Sequence, residues 1–286
     1  MQRAPIDGIE LEYEIRGSGE AVVLIHAGVC AEFFRPLIEQ RALTSRYTVV
    51  RYHRTGYAGS DALPGAVGFA RQAEHCRALM SHLGIERAHV VGHSSSASMA
   101  LQLALDAPDA VQSLALLDPA RPAAPGTLHM EMVKTVVEPA LERFRAGDKP
   151  SAVDTWMRGV CGPDYRAALE QALPGAADQA VADADTFFGQ ELPAVLQWSF
   201  GPEEAARIAA PALAVLGERS IPVFRERRDL LLAWLPHVEA FELPRATHLL
   251  HVENPSAMAN ALSAFFSRHP LASSPALSTP GLSRDT

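Results

Sequence analysis

The stretch that most constrains this chain is Val90-Val91-Gly92-His93-Ser94-Ser95-Ser96, an apolar run that passes through a glycine and a histidine into three serines. It leads at once into the helical-looking Ala97-Ser98-Met99-Ala100-Leu101-Gln102-Leu103-Ala104-Leu105. A strand pattern that meets a helix pattern with no spacer leaves room only for a sharp turn. Residues two before and two after the apex of such a turn face the neighbouring strand and helix and must be small. That rule selects Ser94, flanked by Gly92 and Ser96, and rejects Ser95, whose second neighbour upstream is His93. The turn reads as a nucleophile elbow carrying an exposed serine, with Ser where the second glycine usually stands. A serine-rich N-cap is the blander alternative. The surrounding strand, helix and partner segments favour the elbow.

The rest of the chain supplies that context. Ile9, Leu11, Tyr13 and Ile15 alternate with polar residues, the period-two signature of a half-exposed strand, and Gly17-Ser18-Gly19 predicts a hairpin into the next one. Ala21 to Ile25 is continuously apolar, as in a strand covered on both faces, and ends in His26-Ala27-Gly28-Val29. A glycine loop at the end of a central strand can present backbone N–H groups to an anion. Tyr47 to Tyr52, Arg87 to Val91, Val111 to Leu117, Pro211 to Leu216 and Val238 to Leu243 read as further strands. Phe69, Ala73, Cys76, Met80 and Leu83 fall at helical spacing, and Asn254-Pro255 caps a closing helix. Strands alternating with helices predict a doubly wound, mostly parallel α/β sheet, with functional groups at the carboxyl ends of its strands.

Composition shifts at Ala120. Arg121 to Gly126 reads as a linker, and Leu128 to about Ala210 carries helices without strand alternation. The predicted division is therefore a core over 1–120 and 211–268, a helical cap over 121–210 and a disordered tail over 269–286. The cap holds Met130, Met132, Phe144, Trp156, Met157, Phe187, Phe188, Leu196, Trp198 and Phe200, more large side chains than short helices need for themselves. Some are expected to roof a pocket.

Charge and cysteine usage narrow the partners. Lys and Arg number 25 against 33 Asp and Glu, a net charge of −8, which argues against nucleic acid. Cys30, Cys76 and Cys161 are odd in number and widely spaced, so neither disulfides nor a zinc site is expected, and no metal or cofactor. No run is long enough for a membrane span and no secretory leader is visible, which predicts a cytoplasmic protein acting on a small-molecule substrate. The sequence is silent on oligomeric state.

At this point the chain resembles the α/β-hydrolase fold family over residues 9–268. The resemblance rests on His26-Ala27-Gly28, on Arg54-Thr55-Gly56-Tyr57-Ala58-Gly59-Ser60 against the family's Arg-Gly-x-Gly-x-Ser turn, on Gly92 to Ser96, and on Thr247-His248 with Glu253. It implies Ser94 as nucleophile and His248 as general base, with His251 the weaker competitor. It also implies an oxyanion hole from the N–H groups of Gly28 and Ser95, with Val29 replacing Gly28 if the loop is offset. The acid departs from the family pattern, because its usual place reads Gly217-Glu218-Arg219-Ser220. Asp118, at the end of the strand after the elbow, is favoured, and Glu218 stands second. His53 replaces a common Asp and is either a substrate contact or a hydrogen-bonded structural histidine. The implied activity is hydrolysis of a small, mostly apolar ester or lactone. Carbon–carbon bond hydrolysis or thioester hydrolysis on the same triad, and a non-catalytic binding protein, are the alternatives.

Overall fold

The computed structural model describes residues 1–120, 126–195 and 197–271. Leu196, the linker residues 121–125 and most of the expected tail, 272–286, lie outside them. The tail's first residues do not: Gln112 donates to the carbonyls of His269 and Pro270, tying them to the sheet.

Eight strands form one sheet in the order β1 (Gln2–Ile6), β2 (Ile9–Arg16), β4 (Tyr47–Tyr52), β3 (Glu20–Ile25), β5 (Ala88–His93), β6 (Val111–Leu117), β7 (Ala212–Gly217) and β8 (Val238–Leu243). From β4 to β8 every pairing is parallel. The hairpin expected between β2 and β3 does not form. β2 pairs instead with β1 and with β4, both antiparallel. The Gly17–Gly19 turn carries the chain past β4. A Cβ at Gly17 or Gly19 would sit 2.3 Å from the Thr44 carbonyl oxygen or 2.0 Å from that of Arg46, so only glycine passes there.

The central strands are largely apolar because both faces are covered. Val23, Ile25, Val90, Leu114 and Leu116 pack under helices Phe69–His82 and Ser95–Asp106 on one side, while Val22, Leu24, Val91, Ala115, Leu117 and Val215 meet helix Pro255–Arg268 on the other. Asn254 caps that last helix, its side chain accepting from the Ala257 N–H. Successive residues of one strand thus serve two cores. β3 and β5 are neighbours from which the chain departs in opposite directions, and the crevice at their carboxyl ends is where such sheets bind ligands.

Between β6 and β7 the described residues hold helices and no strand. Most of these helices lie over the carboxyl ends of the strands, in one apolar cluster with Ala27, Val29 and Phe224, whereas Ala205 of helix Pro202–Ala206 packs with the core. Of the large side chains assigned to the cap, Trp198 and Phe200 pack on the core with Phe69, and Met130 is exposed.

Several histidines are buried in apolar surroundings. His89 stacks on Phe266 and His251 on Phe34, each at 4.4 Å between ring centres. Burial pushes His26, His75, His89, His93 and His251 below the usual imidazole range. Each takes up a proton more readily in the unfolded chain, so stability rises with pH up to the unfolded imidazole value of about 6.5. The urea midpoint should therefore be flat between about pH 7 and pH 8, before the unfolded cysteine thiols begin to ionise, and fall steadily from about pH 6.5 downward. A midpoint unchanged down to pH 5 would contradict it.

Candidate active site

The turn after β5 brings strand and helix into contact. A Cβ at Gly92 would stand 2.3 Å from the Ser96 carbonyl oxygen and 2.7 Å from Ala97 Cα. Ser94 occupies φ 57°, ψ −120°, a conformation that L-residues avoid, and heads helix Ser95–Asp106. Ser96 brings a use for its hydroxyl that glycine lacks. Its Oγ bonds the Ile25 carbonyl at 2.5 Å and accepts from the His93 N–H at 2.8 Å, joining the ends of β3 and β5.

Ser94, Ser95, Gly28 and His248 line one cavity of about 520 Å³. Its walls are mostly apolar, with Phe33, Met132, Trp156, Met157, Phe187 and Phe224 prominent, and Arg227 is the buried cation among them. His248 follows β8. Its Nδ1 lies 3.0 Å from Asp118 Oδ2, its ring stacks on Phe224 at 4.0 Å, and its carbonyl accepts from His93 Nε2 at 3.0 Å. With Asp118 accepting at Nδ1, Nε2 is the free basic nitrogen. Burial, and then the positive charge of Arg227, hold the imidazole below its ordinary pKa.

Asp118 leaves β6 at φ 40° and is fully buried. Burial raises its carboxyl above the ordinary carboxylate value, and donations from Ser220 Oγ at 2.5 Å and the Gly217 N–H at 3.0 Å oppose that rise. Ser220 thus stands at the family's usual acid position as a donor to an acid placed on the neighbouring strand. Glu218 does not approach His248: it is exposed, and its Oε2 accepts the Arg245 N–H. Its candidacy as the acid is corrected on that geometry. His251 lies in helix Leu250–Glu253, stacked on Phe34 and outside the cavity wall.

His53 is also absent from the cavity wall. Its Nδ1 lies 2.9 Å from Glu12 and its Nε2 2.7 Å from Glu32, so both ring nitrogens are spent on the sheet edge. Of the two roles expected for His53, this geometry fits the hydrogen-bonded structural one and not the substrate contact.

The loop after β3 is a γ-turn, closed by the Cys30 N–H on the Gly28 carbonyl at 3.0 Å, with Val29 at φ 74°. A β-branched residue there is strained. Ser95, as first residue of its helix, has an N–H without an intrahelical acceptor, so it and the Gly28 N–H are donors beside Ser94. Two residues escaped the sequence reading. Arg227 lies in the charged run Arg225-Glu226-Arg227-Arg228, a composition that by itself reads as a solvated helix face. Glu191 is 1% exposed and follows Phe187 and Phe188 by four and three positions. A carboxylate on the apolar face of a helix was the signal that could have found it.

The profile of the alpha/beta hydrolase fold matches residues 20–255. The chain belongs to that family. A RutD protein of Klebsiella pneumoniae (strain 342), whose name assigns it provisionally to carbamate hydrolysis, is 30% identical over 242 residues, 82% of this chain and 86% of that one. The dihydrolipoyllysine-residue acetyltransferase component of the acetoin cleaving system of Cupriavidus necator is 37% identical over 118 residues. That match takes in 41% of this chain and only 32% of the longer protein. A thermophilic esterase from Thermogutta terrifontis superposes with a TM-score of 0.79 at 19% identity, over 94% of this chain and all of the esterase, a likeness of fold.

The elbow of this hydrolase-fold chain tolerates no side chain at position 92. Gly92→Ala should lower stability by about 2 kcal/mol or more, since the methyl group must push helix backbone away. Chemical denaturation checks this, and a wild-type midpoint would contradict it.

Proposed function

We propose that this protein is a serine hydrolase that cleaves a small, mostly apolar ester or lactone through an acyl-enzyme on Ser94. The observation that carries the reading is the arrangement around His248. One ring nitrogen faces Asp118 at 3.0 Å, and the residue lines the same apolar cavity as Ser94. Membership of the family supports it, as does the resemblance in fold to an esterase.

In this reading Nε2 of His248 takes the Ser94 proton as Oγ attacks the substrate carbonyl. Asp118 holds the tautomer and stabilises the imidazolium that forms. Negative charge develops on the carbonyl oxygen, where the N–H groups of Gly28 and Ser95 meet it. His248 then returns the proton to the leaving oxygen, and water repeats the attack on the acyl-enzyme. A cavity of about 520 Å³ suits a drug-sized molecule, and its apolar lining favours an acyl or alcohol group of the same character. A non-catalytic binding protein drew its support from the serine at position 220. Asp118 beside His248, with Ser220 donating to it, supports the hydrolase instead.

A fluorophosphonate probe should label the wild type and leave Ser94→Ala unlabelled. On p-nitrophenyl esters, Asp118→Asn should lower kcat about 10⁴-fold while Glu218→Gln stays within a few-fold. An unlabelled, folded wild type would refute the hydrolase, and the reverse order of the two variants would refute the assignment of the acid.

The pH profile gives a separate check. Neutral His248 is the working base and its pKa is depressed, so the acid limb of kcat/KM should lie below about pH 6.5. Arg227→Met removes one of the two causes and should move that limb to higher pH. A limb that stays put would show that the Arg227 charge does not reach the imidazole.

A further inference from the structure

Glu191 ends the π-helical segment Asp185–Glu191 of the inserted helices and reaches down into the core. Its Oε1 accepts from Ser95 Oγ at 2.5 Å. Its Oε2 accepts from Tyr57 Oη at 2.5 Å and from Arg54 Nη2 at 2.8 Å. Ser95 Oγ in turn accepts the Gly28 N–H at 3.3 Å. Glu191 and Arg54 are 1% and 0% exposed.

We propose that Glu191 is a positioning residue for the oxyanion hole, acting through the Ser95 hydroxyl and making the hole depend on how the inserted helices are seated. The inference rests on the hydrolase reading above. With its proton committed to a carboxylate, the Ser95 hydroxyl can present only a lone pair to Gly28. It therefore aims the Gly28 N–H without competing as a donor. The 3.3 Å bond is longer than an ordinary N–H···O bond, so an oxyanion displaces it at little cost. The donor is in place before charge develops, which is what such a hole requires. An unpaired carboxylate one hydroxyl away would oppose that charge. Arg54 and Tyr57 on Oε2 offset it.

The surroundings carry the same dependence. A Cβ at Gly28 would meet the Phe187 ring at 2.5 Å and Glu191 Oε1 at 3.0 Å, so the π-helical segment rests directly on the loop. The segment and the chain just before it also grip the turn that bears Arg54 and Tyr57: Thr186 Oγ1 donates to the Gly56 carbonyl at 2.6 Å, and Asp183, at the end of the preceding helix, accepts the Ala58 N–H at 3.2 Å. The loop itself is strained at Val29 and would relax if this support left.

The test compares Ser95→Ala, Glu191→Asp and the double variant. Glu191→Asp keeps a charge for Arg54 while withdrawing from Ser95. On one p-nitrophenyl ester each single change should lower kcat about tenfold with KM within about twofold, and the double variant should be no slower than the slower single one. An alkyl boronic acid, whose Ser94 adduct is tetrahedral, should lose affinity in parallel. Ser95→Ala with full kcat, multiplicative losses, or losses confined to KM would each overturn the proposal. Should Glu191→Asp not fold, Tyr57→Phe replaces it, with a smaller loss of kcat expected and an unchanged kcat refuting. A wild type that no fluorophosphonate labels overturns both readings, whereas a labelled wild type whose Ser95→Ala variant keeps its kcat overturns this one alone.

Discussion

The structure turns on the contact between the end of β5 and the first turn of the helix that follows it. Gly92 and the Ser96–Ala97 backbone lie so close that no Cβ fits between them, and the chain can reverse there only with Ser94 at positive φ. The Ser96 hydroxyl extends that constraint sideways, because its bonds to the Ile25 carbonyl and the His93 N–H fix β3 against β5. The Gly28 loop grows from β3 and Ser94 from β5, so one buried hydroxyl sets the spacing between the donor loop and the serine it faces. Glycine at 96 would leave the Ile25 carbonyl to find another partner.

The place of Asp118 follows from the same sheet. β6 and β7 run parallel, Leu117 opposite Val215, so the residues just beyond their ends share one small space beneath His248. Either strand can supply the carboxylate, and the other is left to satisfy it. Here β6 supplies Asp118, at a left-handed φ that Asp tolerates better than most residues, and the β7 side supplies the Gly217 N–H and the Ser220 hydroxyl. Gly217 has no room for a side chain, since a Cβ would stand 2.7 Å from the Thr247 carbonyl oxygen.

What was legible in the sequence was what local pattern encodes. Gly92 and Ser96 bracket the elbow by size alone, and the unbroken apolar strands announce a sheet covered on both faces. Pairing order was not legible: the hairpin assumed at Gly17–Gly19 failed because a short turn does not say whether its strands are neighbours, and β4 lies between them. Spacing favoured Asp118 without removing Glu218, since the deciding difference is one of direction, Glu218 pointing to the Arg245 N–H in solvent and Asp118 buried beside His248. His53 stayed open between a substrate contact and a structural role because its partners, Glu12 and Glu32, come from a distant strand and loop.

Glu191 shows why a buried ion pair can be kept where apolar residues would pack as well. Desolvating Glu191 and Arg54 costs more than their attraction returns unless every oxygen and proton finds a partner, so the pair is poor evidence of a stability gain. Its value lies in direction. A methyl or phenyl group between the inserted helices and the core would hold them equally firmly in several nearby positions. A carboxylate sharing one oxygen between Arg54 and Tyr57 and giving the other to Ser95 is satisfied in only one. The buried charges therefore convert the docking of a helix into a fixed orientation for a hydroxyl beside Ser94, which apolar contact alone does not specify.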